Sequence, residues 1–330
     1  MIMNKPVSCV KTSSSSRIIS LSSMNLSLSD TKSVSLSDLI RQSLTSILFF
    51  AVLLLLPSCT TTKLLHETYS TPEVLPIEEL SPTPVVWTKI QDGFELTGDK
   101  IKTQRVSWHC VRIDLNTPGL SIVYAPHAET LGQLFKVKDF AKHYHTIVAI
   151  NSAPFLIETT NYPVGILKDH NNIISAPNQK NCALAFYLSN DDEAPEADNT
   201  TRSLRAEILN NQEAALDSKY IYAFGGFYTT YENGEYKKFQ HNKRSRIGCG
   251  ISGNGRYLYI FATTPFFHLT DRNGLNYEEC SMILKKLGCE KAMQFDGGHS
   301  SALLVYTKDI EKPFMQRKVP CALGIVAPNY

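Results

Sequence analysis

The sequence predicts an α+β fold, a mixed or antiparallel β-sheet core with flanking helices. Three observations lead there. Short apolar or alternating segments follow one another from Val106 to the end of the chain. Only one long segment, Tyr277 to Leu287, carries a clean helical period. No internal repeat is visible along the chain. Strands in series with few helices favour a sheet that pairs largely with itself over alternating βαβ units.

The elements can be taken in order. Val111-Arg112-Ile113-Asp114-Leu115 alternates with period two, as a half-buried strand does. Asn116-Thr117-Pro118-Gly119 turns the chain into a second strand, Leu120 to Tyr124, and the pair is expected to form a hairpin. A short helix is expected over Phe135–His145. It leads into Thr146-Ile147-Val148-Ala149-Ile150, a β-branched run ending abruptly at Asn151. Further strands are expected at Leu184–Leu188, Tyr220–Phe224, Ile247–Ile251 and Tyr257–Ala262, with Gly253-Asn254-Gly255 closing a hairpin between the last two. Residues 189–202 are acidic and poor in apolar side chains, so they are read as a solvated loop.

The helix Tyr277–Leu287 is bounded on both sides. Asn276 and Glu279 have the spacing of a capping box, and Gly288 suits the left-handed position past the last turn. Cys280, Ile283, Leu284 and Leu287 make one apolar face. A short strand, Ala292 to Phe295, then runs into Asp296-Gly297-Gly298-His299-Ser300-Ser301, and Ala302 to Tyr306 returns.

The front of the chain is of a different kind. Residues 1–40 are Ser-rich, and Ile47 to Leu56 is an unbroken apolar run. Ten residues rise only ~15 Å as a helix, about half a bilayer core, which fits the apolar region of a signal peptide better than a span. Leu56-Pro57-Ser58-Cys59 is similar to a bacterial lipobox, whose cysteine is acylated. The expected organisation is therefore a signal peptide over 1–58 with Met24 as an alternative start, lipidation at Cys59, and a tether and entry segment over 59–100. A domain over 101–330 follows. The expected location is the cell envelope, with the membrane held through the lipid.

Net charge is +2, with its basic excess in the leader, so nothing marks a nucleic-acid binder, which needs clustered positive charge. Six cysteines follow the leader: Cys110, Cys182, Cys249, Cys280, Cys289 and Cys321. None forms a CxxC, and buried free thiols with at most one bridge are expected. No Cys/His spacing has the form of a zinc site, and no metal or other cofactor is expected.

Taken singly, the polar candidates have two readings each. Asp296 is either a carboxylate held at a rigid strand end, where a general base or nucleophile belongs, or the first residue of a tight turn bonded to its own backbone. Lys243-Arg244-Ser245-Arg246 is either a phosphate contact, which suits the guanidinium fork, or a solvated charge run. Asn151 is read first as a turn residue satisfying backbone groups and second as a ligand contact, while His299 serves equally to pack or cap or to catalyse.

Their order along the chain resembles the phosphodiester glycosidase family. Ile150-Asn151-Ser152-Ala153-Pro154-Phe155 stands where that family has an NGGFF-like strand end, and Pro163-Val164-Gly165-Ile166 matches the strand start that follows. Phe224-Gly225-Gly226-Phe227 and Glu232-Asn233-Gly234-Glu235 match a Gly-Gly segment and a tight hairpin. Lys243 to Gly248 occupies the place of a PRTAIG-like strand, Gly274 to Cys289 that of a helix ending in LG, Phe295 to Ser301 that of LDGGGSS, and Val319 to Ile325 that of a closing NALG. Ser152-Ala153 replaces two glycines, His299 a glycine and Cys321 an asparagine.

The resemblance spans roughly residues 106–327. It implies cleavage of a sugar-1-phosphodiester between the anomeric carbon and oxygen, in a phosphodiester-linked glycan or glycoconjugate. It implies catalytic roles for Asp296 as base or nucleophile, Arg244 on the phosphate and Asn151 as an orienting group. Gly297, Gly298, His299, Ser300, Gly225 and Gly226 are implied on the substrate side. A non-catalytic envelope lipoprotein that binds a polysaccharide or wall polymer stays open as the alternative.

Overall fold

A computed structural model of the chain describes residues 74–81, 84–190, 202–237, 242–265, 274–312 and 316–328. All belong to the unit Tyr69–Tyr330. The expected signal segment, Met24 and Cys59 lie outside the described residues, as does most of the acidic stretch 189–202. Among the described residues no helix is long and apolar enough to cross a membrane.

Three sheets carry the fold. The first holds, in spatial order, β1 (Thr88–Gln91), β2 (Phe94–Ile101), β3 (Val106–Asp114), β14 (Tyr257–Pro265), β13 (Arg246–Ser252), β15 (Lys291–Gln294), β11 (Thr229–Glu232) and β12 (Glu235–Tyr236). The second holds β7 (Asn172–Ser175), β6 (Leu167–Asp169), β10 (Tyr220–Gly225), β8 (Ala183–Asn190) and β9 (Arg202–Leu209). The third holds β17 (Lys308–Glu311), β16 (Leu303–Val305), β5 (Val148–Asn151), β18 (Ala322–Val326) and β4 (Ser121–Ala125).

Every pairing between these strands is antiparallel. Of the expected mixed or antiparallel core the antiparallel form is the one present, and the α+β expectation is corrected to a fold richer in β. Among the described residues the helices are a single turn, α1 (Ile77–Leu80), and two longer ones, α2 (Val137–His143) and α3 (Tyr277–Lys286), with short 3-10 turns besides.

The inner faces of the three sheets meet in one core. Val111, Ile260 and Cys249 from the first sheet pack with Leu184, Phe186 and Phe224 from the second and Ile150, Leu303 and Leu323 from the third. Alternation assigns the other face: Tyr259 and Phe261 of β14 point away, toward Trp108, Cys280, Ile283 and Leu284 under α3. With cover on both sides, every residue of β13 is buried. Helix α2 covers the third sheet through Val137 and Phe140. Each fully buried Leu or Phe contributes about 2 kcal/mol of apolar transfer energy.

Helix α3 forms as its caps require. Asn276 Oδ1 accepts from Glu279 N at 2.8 Å and Glu279 Oε2 accepts from Asn276 N at 2.9 Å, closing the box. The β13–β14 hairpin also forms, with Ser252 opposite Tyr257.

Two pairings differ from expectation. Val111–Leu115 and Leu120–Tyr124 are strands but not a hairpin: β3 lies between β2 and β14, and β4 joins β18 in another sheet. Gly119, at φ +71°, redirects the chain across the core. Likewise β16 returns against β5 and not against β15. The stretch 88–101, read as entry segment, supplies β1 and β2, and Leu80 is fully buried ahead of them. The six cysteines are buried free thiols.

Candidate active site

Asp296 follows β15 at the point where the chain leaves the first sheet for the third. Its backbone is fixed by the end of β5 in the third sheet. Asp296 N donates to Ser152 O at 3.0 Å, and Asp296 O accepts from Asn151 Nδ2 at 2.8 Å. Asn151 is 1 % exposed, and its Oδ1 accepts from Ala302 N at 2.9 Å. The side chain thus clamps the turn 296–302 onto the end of β5.

The glycines of the turn have steric reasons. A Cβ on Gly297 would lie 2.8 Å from Ser245 O, and Gly298 sits at φ +61° with its N–H donated to that same carbonyl at 2.8 Å. The Gly298 N–H is therefore spent inside the protein. The Asp296 carboxylate accepts from the Ser300 hydroxyl and the Gly297 N–H. Burial nonetheless dominates and pushes its pKa up to about 6, against the lowering effects of Ser300, the nearby charge of Arg317 and Gly297.

A pocket of about 430 Å³ opens above this turn. Phe227, Tyr228, Asn242, Arg244, Arg246, Tyr277, Asp296, Gly297 and Gly298 line it. Among the described residues of that lining Asp296 is the one carboxylate, and Arg244 and Arg246 share the pocket with it. Arg244 is exposed at the rim, and its backbone pairs with Leu275. That pairing needs Gly274, where a Cβ would approach the Arg244 backbone to 2.2 Å. Arg246, two residues along the same strand edge, is 6 % exposed. Its Nε donates to Leu275 O at 3.1 Å and its Nη2 to Asn242 O at 2.5 Å, while its guanidinium lies 4.2 Å from the Tyr277 ring centre. Burial pushes the Arg246 pKa down, the Tyr277 hydroxyl opposes this, and the charge of Arg244 adds to the lowering.

The strap carrying Asn242 to Arg246 is fixed by a buried ion pair. Lys243 Nζ reaches Glu279 Oε1 at 2.7 Å, and Glu279 also caps α3 and accepts from Leu75 N at 3.0 Å. Both the rim arginine and the buried one are thereby tied to the first turn of α3.

Asp296, Arg244, Gly297 and Gly298 thus share one pocket. Asn151 lies beneath it with its amide engaged by backbone. Ser300 is buried and holds the carboxylate, and His299 accepts from Arg317 N through its carbonyl, outside the pocket lining. Gly225 and Gly226 are buried below the pocket. A Cβ on Gly226 would lie 2.7 Å from Gln294 O, and one on Gly225 2.9 Å from Gln212 Nε2. These glycines permit close packing, and the following residues, Phe227 and Tyr228, reach the pocket. Arg246 is part of the basic run read from sequence as a possible phosphate contact, whereas Tyr228 and Asn242 carry no sequence signal that places them here. Only the i, i+2 spacing of Arg244 and Arg246 hinted at a shared side. Among the described residues no group of three or more His, Cys, Asp or Glu could hold a metal ion.

A model of the family described as phosphodiester glycosidase matches residues 144–326, more than half of the chain. The fold is similar to that of a hypothetical protein from Synechocystis, with TM-score 0.57 and 15% identity, covering 74% of this chain and 64% of that one. It is also similar to the catalytic domain of zebrafish N-acetylglucosamine-1-phosphodiester alpha-N-acetylglucosaminidase, auto-inhibited by pro-peptide, with TM-score 0.52 and 16% identity over 73% of this chain and 81% of that one. No curated protein matches.

Proposed function

The chain belongs to the phosphodiester glycosidase family, and we propose that it hydrolyses a sugar-1-phosphodiester, of the N-acetylglucosamine-1-phosphate type, at the anomeric C–O bond. The observation that supports this reading is one pocket lined both by a carboxylate with a raised pKa and by two guanidinium groups. The phosphate leaving group is weakly basic, so strong general-acid help is less needed than with an alcohol. What the reaction requires is a base or nucleophile at carbon and charge neutralisation at phosphate.

Asp296 takes the first role. In the direct version it accepts a proton from water as the water oxygen bonds to the anomeric carbon. The bond to the phosphate oxygen breaks, and its electron pair stays on the phosphate. Arg244 takes the second role from the rim. Asn151 acts through Asp296 by fixing the turn, and Phe227, Tyr228 and Tyr277 offer flat apolar faces for a sugar ring. Ser300 orients the carboxylate.

The test is release of free sugar from an N-acetylglucosamine-1-phosphodiester by the purified chain in oxygen-18 water. Label in the sugar is the expected outcome. Label in the phosphate would mean attack at phosphorus, and binding without turnover would leave the carbohydrate-binding reading. The proposal includes a lipid anchor at Cys59 that holds the domain at the cell envelope. Cys59→Ala should then abolish incorporation of labelled palmitate and release the protein from the membrane fraction. Unchanged labelling would sink the anchor.

A further inference from the structure

We propose that Arg246 is a second phosphate ligand in this pocket, one selective for the dianion that C–O cleavage produces. The inference rests on the hydrolysis reading for its chemistry and on the geometry of Arg246 for its site. Arg246 stands where the PRTAIG-like motif has alanine.

Four features set this side chain apart from a solvated charge. It is 6 % exposed, yet it lines the pocket that contains Asp296. Two backbone carbonyls and the Tyr277 ring hold its plane, so little rotamer freedom is left to lose when a ligand binds. Among the described residues it forms no ion pair; its partners are carbonyls and a tyrosine, which neutralise none of its charge. Part of its five-donor fork remains for a ligand. A buried cation without a counter-ion is costly to keep, and an anion entering the pocket removes that cost.

The charge balance specifies which anion. A phosphodiester enters with one negative charge. When the anomeric C–O bond breaks, the bonding pair remains on the bridging oxygen and the phosphate becomes a monoester with two. The water proton goes to Asp296. The second negative charge therefore appears only as the reaction proceeds, and a fixed guanidinium in a water-poor site stabilises it more than a solvated one does. Arg244 at the rim matches the charge already on the substrate, and Arg246 below it matches the charge that develops.

The test uses the full chain, with inorganic phosphate as the probe. Phosphate should inhibit the wild type, and bind it by calorimetry, more tightly as pH rises through the conversion of monoanion to dianion at about 7, which follows from the two-guanidinium site. Arg246→Gln should weaken phosphate binding at least about tenfold and lower kcat about 100-fold, with a smaller change in KM. Arg246→Lys, which keeps the charge but not the fork, should fall between. Asp296 in the same pocket loses its proton near pH 6 and then repels anions, so the affinities are compared from about pH 6.5 to 8.5. Wild-type affinity that ignores the ionisation of phosphate across that range would overturn the proposal, and this reading needs no variant to fold. So would a folded Arg246→Gln chain with unchanged phosphate affinity. A wild type that releases no sugar overturns the hydrolysis reading instead, and loss of phosphate binding in Arg246→Gln would still support the arginine site.

Discussion

Asp296→Asn is expected to lower kcat by at least about 10³-fold while making the protein more stable at neutral pH. The two effects share a cause. Burial raises the Asp296 pKa from its ordinary 3.8 to about 6, so the folded state holds this proton more tightly than the unfolded chain does. The stability so gained is fully present below about pH 4 and is lost as pH rises through 6. Above that, folding bears the cost of an ionised, poorly solvated carboxylate. Two pKa units correspond to about 3 kcal/mol, and the partial exposure of the group reduces this to about 2. Asparagine carries no such cost. Thermal melts at pH 4 and pH 7.5 should therefore separate variant and wild type only at the higher value. The wild-type kcat/KM should rise with a limb near pH 6 as the base ionises, and the residual activity of the variant should lack it. A folded asparagine variant with full turnover would remove Asp296 from the mechanism.

Asn151→Ala should cost about 3 kcal/mol of stability, measured by denaturant unfolding, and about 10- to 100-fold in kcat. The side chain donates to the carbonyl of Asp296 and accepts from the N–H of Ala302, across the boundary of two sheets. Alanine leaves both backbone groups without these partners in a site where water has little access. The lost activity follows from displacement of the carboxylate, since small misplacements of a reacting group are expensive. Unchanged stability in the variant would show that the clamp is not holding the turn.

These two residues show what the sequence makes legible. Asp296 is visible because a short apolar strand ending in an acid and two glycines has few other uses, and its ordered companions narrow them further. Helix α3 and the β13–β14 hairpin are legible because local chemistry, a capping box and a Gly-Asn-Gly turn, specifies them without help from elsewhere. The partners of β3 and β4 are not. Alternation tells which face of a strand is buried but not which strand lies beside it, and the turn at Gly119 serves a crossing as well as a hairpin. β1 and β2 are hidden because the stretch from Thr88 to Ile101 is polar enough to pass for a connector. Arg246 is legible as one member of a basic run but not as its buried member: the strap at Gly274 and the ring of Tyr277, both distant in sequence, cover it. At Gly225 and Gly226 the close approach of Gln212 and Gln294 supplies a steric reason for glycine that the sequence does not display.

The clamp between Asn151 and Asp296 also bears on how the protein acquires activity. The two residues are 145 positions apart, and they meet only where the third sheet is laid against the first. Closing so long a loop comes late in folding, because its entropy must be offset by contacts that exist only in the nearly complete molecule. A chain whose sheets have each formed but have not docked would have strong β-sheet circular dichroism and no working carboxylate. In refolding, hydrolytic activity should therefore trail the spectroscopic signal, which makes enzyme assay a direct clock for the last step of assembly.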